Sequence, residues 1–343
     1  MHGFGKPMLT PPPSPGTAVR RRYSDRMVGD IWKTTNHYVV PKDARAVMAV
    51  IGAIGVYSKG QRFAWRGVSD ADYELVSSLQ RHVGGIDEEA LRSAEVDVIQ
   101  EARDWGLGTH PTGRVDDLQL LADLQHFGTP TRLIDVTSNP MTALWFACQP
   151  ASTPQGKSGL LLALNITDWP RLSTVPDGSR SYGQVGRPES FRLEAALQDG
   201  RPHVVGSGAP NARIRAQEGF FVTSAVPDTL PMALIDLGSE QVAIRRHSPF
   251  RSLRVDWQDG VDPEVLEQRL LKPKRGQRAS LPFVAVIIKA GLKANLLSYL
   301  GGTYNRSAQV LFPDYQGYVE HGERIRSLRT TGGSPEGPDR RGS

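Results

Sequence analysis

Residues 125–140 gather side chains of nearly every polar type: Gln125, His126, Arg132, Asp135, Thr137, Ser138 and Asn139. An imidazole and a carboxylate can move protons. A guanidinium can hold an anion through its planar fork, and hydroxyls and amides can orient a sugar or a carbonyl. A corner that serves only the fold needs one or two such groups. Arg66, between Trp65 and Gly67, and Gln217-Glu218, ahead of Gly219-Phe220-Phe221-Val222, add to the set. Each residue also has a plain structural reading. Arg66 can be an exposed strand-end charge, and His126 at a helix C-terminus gains from the macrodipole. Arg132 and Asp135 can pair and brace the corner, and Gln217 can satisfy backbone groups in a turn. Asp135 lies among Leu133, Ile134 and Val136, where an unpaired carboxylate is costly. Arg132 or His126 is therefore its expected partner, and Asp135→Asn is expected to do more harm than Asp70→Asn.

The elements that position these groups are legible from turn residues. A helix over 116–127 has acidic residues in its first turn, as the macrodipole prefers. Gly128 suits the left-handed position that ends it, and Pro130 blocks a restart. Residues 131–136 read as extended. Asn139 as N-cap and Pro140 at the first helical position open the next helix. Residues 62–67 read as a strand with Phe63 and Trp65 on one face and Ala64 and Arg66 on the other. Residues 78–81 read as a loop.

Further helices are expected over 44–56, 87–105, 261–271 and 292–300, the last closed by Gly301. Residues 159–167 are almost continuously apolar, as in a strand covered on both faces, and 283–289 form another strand. Residues 170–208 read as a long loop with some helix near 190–197. Strands and helices mix without regular alternation. That pattern implies an α+β fold: one domain over 30–322 with a split, mostly antiparallel sheet and flanking helices. Residues 1–29, with a Pro-rich run and Arg20-Arg21-Arg22, and the charged, Gly-rich residues 323–343 read as disordered tails.

Composition narrows the chemistry. Net charge is +5 over 343 residues, a mild basic excess that fits an anionic partner but that ordinary solvated surface explains more simply. Cys148 is the sole cysteine, so no intramolecular disulfide and no multi-cysteine zinc site can form. It follows an apolar helix face and reads as a core residue. The scattered histidines give a metal site no support. Gly156-Lys157-Ser158 lacks the earlier glycine of a phosphate-binding loop, because position 151 is Ala. No run of apolar residues is long enough to span a membrane and no signal core opens the chain, so a cytoplasmic protein is expected.

Three stretches resemble the FRG domain family, named for an aromatic-Arg-Gly motif. They are Trp65-Arg66-Gly67; Gln125-His126-Phe127-Gly128 through Pro130-Thr131-Arg132-Leu133-Ile134-Asp135, Thr137 and Pro140; and Arg213-Ile214 through Ala216-Gln217, Gly219 and Phe221. Leu311-Phe312-Pro313-Asp314 with Gly317 resembles the family's usual end. Trp65 replaces Phe or Tyr, Val136 stands where Trp is usual, and Glu218 where a second Gln is common. The family is bacterial and phage-associated. The resemblance implies a shared fold more firmly than a shared activity.

A second resemblance, to ADP-ribosyltransferases of the Arg-Ser-Glu type, follows Arg66, Thr137-Ser138 with Ala143 and Phe146, and Glu218 in chain order. It implies an ADP-ribosyltransferase-like fold and an NAD-using enzyme without a metal, acting as a toxin or phage-defence effector. Under it, Arg66, Gln125, Arg132, Thr137, Ser138 and Gln217 would contact NAD. Glu218 would stabilise the oxocarbenium-like state of nicotinamide–ribose cleavage, with His126 and Asp135 as further catalytic candidates. Asp135 is the alternative carboxylate if Glu218 faces solvent. A non-catalytic module that binds nucleic acid or a protein through the basic surface is the competing reading.

Overall fold

The structure is a computed structural model that describes residues 31–322, apart from 85–86, 111–112, 152–155, 174–192, 194–196, 199, 207–209, 228–231, 237–240, 246–247, 258–259 and 273–280. Both expected tails, and most of the helix expected near 190–197, lie outside the described residues.

The strands are β1 (Tyr38–Val39), β2 (Phe63–Val68), β3 (Thr109–His110), β4 (Gly113–Arg114), β5 (Ile134–Thr137), β6 (Gly159–Asn165), β7 (Arg171–Ser173), β8 (His203–Gly206), β9 (Gly219–Thr223), β10 (Met232–Asp236), β11 (Gln241–Arg245) and β12 (Phe283–Ile288). Eight of them form one open sheet in the order β1-β12-β6-β2-β5-β9-β8-β7. Pairing is antiparallel except for β1 with β12 and β7 with β8. The expected split sheet is thus a single mixed sheet, mostly antiparallel, with β3-β4 and β10-β11 as separate hairpins. It has one weak seam. β2 and β5 meet at the single pair Trp65↔Thr137 and then diverge.

The helices are α1 (Ala44–Tyr57), α2 (Ser78–Val83), α3 (Glu88–Asp104), α4 (Asp117–His126), α5 (Pro140–Ala147), α6 (Ala212–Ala216), α7 (Pro263–Leu271), α8 (Lys293–Tyr304), α9 (Ala308–Leu311) and α10 (Tyr315–His321). Residues 78–81, expected as loop, fall in α2, because the Ser77 hydroxyl caps Gln80 N–H and Gly84 closes the end in the left-handed conformation. α8 runs through Gly301 and Gly302 and stops at the left-handed Asn305. The long loop expected over 170–208 contains β7 and β8, too short to show periodicity.

One face of the sheet carries α1, α5, α7 and α8 over a core that includes Ile54, Trp65, Leu144, Leu161, Val286 and Leu300. The other face packs Ala64, Leu162, Val136 and Phe283 against Trp32 and Phe250. β6 and β12 are buried on both faces, as their continuous apolar runs require. α5 lies almost on the backbone of the sheet. A Cβ on Gly67 would stand 1.7 Å from the Ala143 carbonyl oxygen, and one on Gly159 would stand 2.0 Å from that of Ala147. The glycine of the aromatic-Arg-Gly motif is therefore fixed by helix–sheet contact. Cys148, just past α5, is buried, and that burial pushes its thiol up to about 12. It is a core thiol.

Candidate active site

The corner forms as its turn residues dictate. α4 ends at Phe127, and Gly128 follows with φ +89°. Asn139 caps α5 by accepting from Met141 N–H, with Pro140 beside it. Between them, β5 alternates: Ile134 and Val136 enter the core, while Asp135 faces the side that carries α5.

A cleft of about 290 Å³ opens there. β2, β5 and β9 make its floor with Trp65, Arg66, Asp135 and Thr137. Gln125 and His126 close one side. Thr142, Ala143 and Phe146 of α5 form a wall, and Arg213, Gln217, Phe220 and Phe312 complete the rim. The diverging seam explains why Arg66 is present. Its neighbours alternate toward opposite cores, but its guanidinium fills the gap between β2 and β5 and donates from Nη1 to the Asp135 carbonyl. That same nitrogen lies 4.0 Å from Asp135 Oδ2. Its other N–H groups have no partner among the described residues. Burial lowers the Arg66 pKa, Asp135 raises it and Arg81 lowers it again, yet an arginine keeps its charge.

The Asp135 side chain is 60% exposed. Gln125 Nε2 donates to its Oδ2 at 2.9 Å, and Oδ1 has no hydrogen-bond partner among the described residues. Its expected partners, Arg132 and His126, are not its partners. Nor is Asp135 enclosed by the apolar side chains on either side in sequence, because the pleat sends it the other way. Asp70, by contrast, is only 5% exposed, so the expected ranking of the two Asn substitutions no longer holds for stability.

Arg132 is a second correction. It is 1% exposed, sits outside the cleft and donates to Glu95 at 2.8 Å and Glu88 at 2.9 Å. The two carboxylates raise its already high pKa against the pull of burial. Glu88 also accepts from Val226 N–H, so the cluster ties α3 to the segments just before β5 and just after β9. Arg132 is structural, not a nucleotide contact.

Glu218 and Ser138 do not line the cleft either. Glu218 is not a strand residue. It occupies the left-handed conformation, φ +50°, between α6 and β9. Its carboxylate accepts from Asn139 Nδ2 and Arg306 Nη2, both at 2.8 Å. Of the two neighbours, only Gln217 reaches the cleft, where it donates to Leu311 O. Thr137 lines the floor, but its hydroxyl donates to Gln217 O and accepts from Asn139 N–H.

His126 has no hydrogen-bond partner among the described residues. Burial, then the Arg213 charge, lowers its pKa below the usual imidazole value, so it is neutral at pH 7. Arg213 itself is held in place. It grips Asp314 through two hydrogen bonds of 2.9 and 2.8 Å and stacks over Phe312 at 4.9 Å. This grip holds Asp314 below the ordinary carboxylate range.

Arg213, Phe146, Phe220 and Phe312 were not among the sequence-based contacts. Two signals point to them. Ala143 and Phe146 share a helix face, and Phe312 and Asp314 fall in one short motif. The arrangement offers a free carboxylate oxygen, a guanidinium with free donors, a neutral imidazole and aromatic walls.

A family model of the FRG domain matches residues 61–156. The chain carries an FRG domain. No curated protein and no solved structure matches the chain. The matched FRG stretch supplies β2, α4, β5 and α5, and with them Arg66, Gln125, His126 and Asp135. The rim residues Arg213, Gln217, Phe220 and Phe312 come from beyond it. No helix among the described residues is long and apolar enough to cross a membrane.

Proposed function

We propose that the FRG cleft binds a ribonucleotide, with NAD as the leading candidate, and cleaves its nicotinamide–ribose bond as an ADP-ribosyltransferase-like enzyme. Asp135 is the carboxylate that faces the ribose and its developing positive charge. Arg66 holds the phosphates, and Phe146 and Phe312 receive the planar rings. The observation that carries this reading is the Arg66 guanidinium, 4.0 Å from the half-used carboxylate of Asp135, where both line an aromatic-walled cleft. A carboxylate accepts ribose hydroxyls and stabilises an oxocarbenium-like state, and a guanidinium fork matches a phosphate. An effector role as a toxin or in phage defence belongs to the same proposal.

The engagement of Glu218 by Arg306 and Asn139 supports a second reading. The carboxylate of the Arg-Ser-Glu order is spoken for, so the cleft would bind a nucleotide without turning it over. Labelled NAD, incubated with wild type, Asp135→Asn and Glu218→Gln plus separate protein and nucleic-acid fractions, distinguishes the two. A preorganised carboxylate contributes a factor of about 10² to 10³ in rate, so Asp135→Asn should lose that much and Glu218→Gln only a few-fold. Binding without nicotinamide release supports the second reading. No binding and no release removes both.

A further inference from the structure

Gln125 is joined to three elements at once. Its Oε1 accepts from Thr131 Oγ1 at 2.7 Å and from Ser78 Oγ, at the start of α2, at 3.3 Å. Its Nε2 donates to Asp135 Oδ2 at 2.9 Å. The two ends of the amide cannot exchange freely. The Thr131 hydroxyl oxygen already accepts from Leu133 N–H, so its proton is free for the Gln125 oxygen. Ser78 Oγ accepts from Thr131 N–H, so its own proton is divided between Thr131 O and Gln125. With donors on one side, the amide oxygen is fixed there, and an N–H must point at the carboxylate. Thr131 is fully buried, so this anchor is set in the core while its far end stands in the cleft.

We infer that Gln125 is the positioning residue of the cleft: it occupies Oδ2 of Asp135 and thereby presents Oδ1 alone to the ligand. This rests on the nucleotide reading of the cleft, and it assigns Gln125 to Asp135 in place of a direct NAD contact. A side chain that is otherwise largely exposed would sample several rotamers. A fixed donor, with Arg66 on the other flank, holds one of them, and misplacement of a reacting group by an ångström is costly in rate. The preferred ligand is then a ribose hydroxyl donor. A phosphate placed against Oδ1 is repelled.

The test compares wild type with Gln125→Glu, Gln125→Leu and Thr131→Val by nicotinamide release and NAD affinity across pH. Gln125→Glu keeps the shape and the bonds from Thr131 and Ser78, but sets two carboxylates in contact, which then share a proton. It should lose about 10²-fold in rate near pH 8 and recover on acidification toward about pH 5, with affinity changed only a few-fold. Gln125→Leu should lose rate without that recovery. Thr131→Val, which frees the amide to turn, should lose several-fold. A merely structural role would give no acid recovery. Wild-type rates in folded Gln125→Glu and Gln125→Leu overturn the inference.

A second measurement separates it from the nucleotide reading. In protein labelled with ¹⁵N-glutamine, the Gln125 side-chain NH₂ signal should titrate with pH and lose that response in Asp135→Asn. A signal that titrates in a protein that ignores NAD supports the Gln125–Asp135 geometry and overturns the ligand assignment. A signal that does not titrate overturns the positioning role, whatever NAD does.

Discussion

Arg132 and Asp135 stand three residues apart in one short segment and have opposite fates. Arg132 turns inward, and two carboxylates of α3 hold it where almost no solvent reaches. Asp135 turns outward and keeps one oxygen free. The first is a buried, ion-paired cluster and the second a half-used carboxylate. A charged group buried between opposite charges fixes a fold. A charged group with spare hydrogen-bonding capacity in a concave site can take a ligand. Residue type did not decide between them. The strand pleat and the position of α3 did.

The largest effect that sharpens this contrast is expected at Arg132. Arg132→Leu leaves Glu95 buried without its partner and should cost about 3 to 5 kcal/mol in urea unfolding. Asp135→Asn loses one exposed hydrogen bond and should cost about 1 kcal/mol or less in the same measurement. Equal losses would erase the distinction between a structural and a ligand-facing side of the corner.

Gly67 comes next. A Cβ there meets the α5 backbone, which cannot step aside, so Gly67→Ala should cost about 1 to 3 kcal/mol or more. Gly128→Ala has open space around it and only a left-handed backbone to strain, so about 1 to 2 kcal/mol is expected. Thermal unfolding of the two variants checks the order.

The smallest effect is a pH dependence. Burial and Arg213 lower the folded pKa of His126, so the unfolded chain takes up the proton first as pH falls. Stability should therefore decline as pH drops below about 6.5, and the decline should stop once pH passes the folded value. Asp314 is also lowered, through Arg213. Its contribution is present above the ordinary carboxylate value and is lost as pH falls through its folded value. A carbon-detected histidine titration should give His126 a midpoint below the free imidazole value, and Arg213→Ala should move it upward.

Much of the corner was legible in the sequence, because turn chemistry is local. Asn139-Pro140 and Gly128 marked the helix boundaries, and the apolar runs of β6 and β12 marked the buried strands. The order of the motif words also placed Arg66 and Asp135 in one cleft. What stayed hidden depends on distant partners. Arg132 could be separated from Asp135 only by knowing that Glu88 and Glu95 lie over it. Chain order put Glu218 in the site, but its left-handed backbone and the arrival of Arg306 from beyond α8 take it out. The α2 helix was hidden because one short turn shows no periodicity.

The role of the cleft rests on Asp135 facing a ligand. The most direct measurement is a crystal structure of the protein soaked with NAD. The expected result is a nucleotide in the cleft, with a ribose hydroxyl on Asp135 Oδ1, a phosphate on Arg66 and Gln125 still on Oδ2. A nucleotide bound elsewhere with its ribose on Glu218, or a cleft that stays empty at saturating NAD, would contradict it.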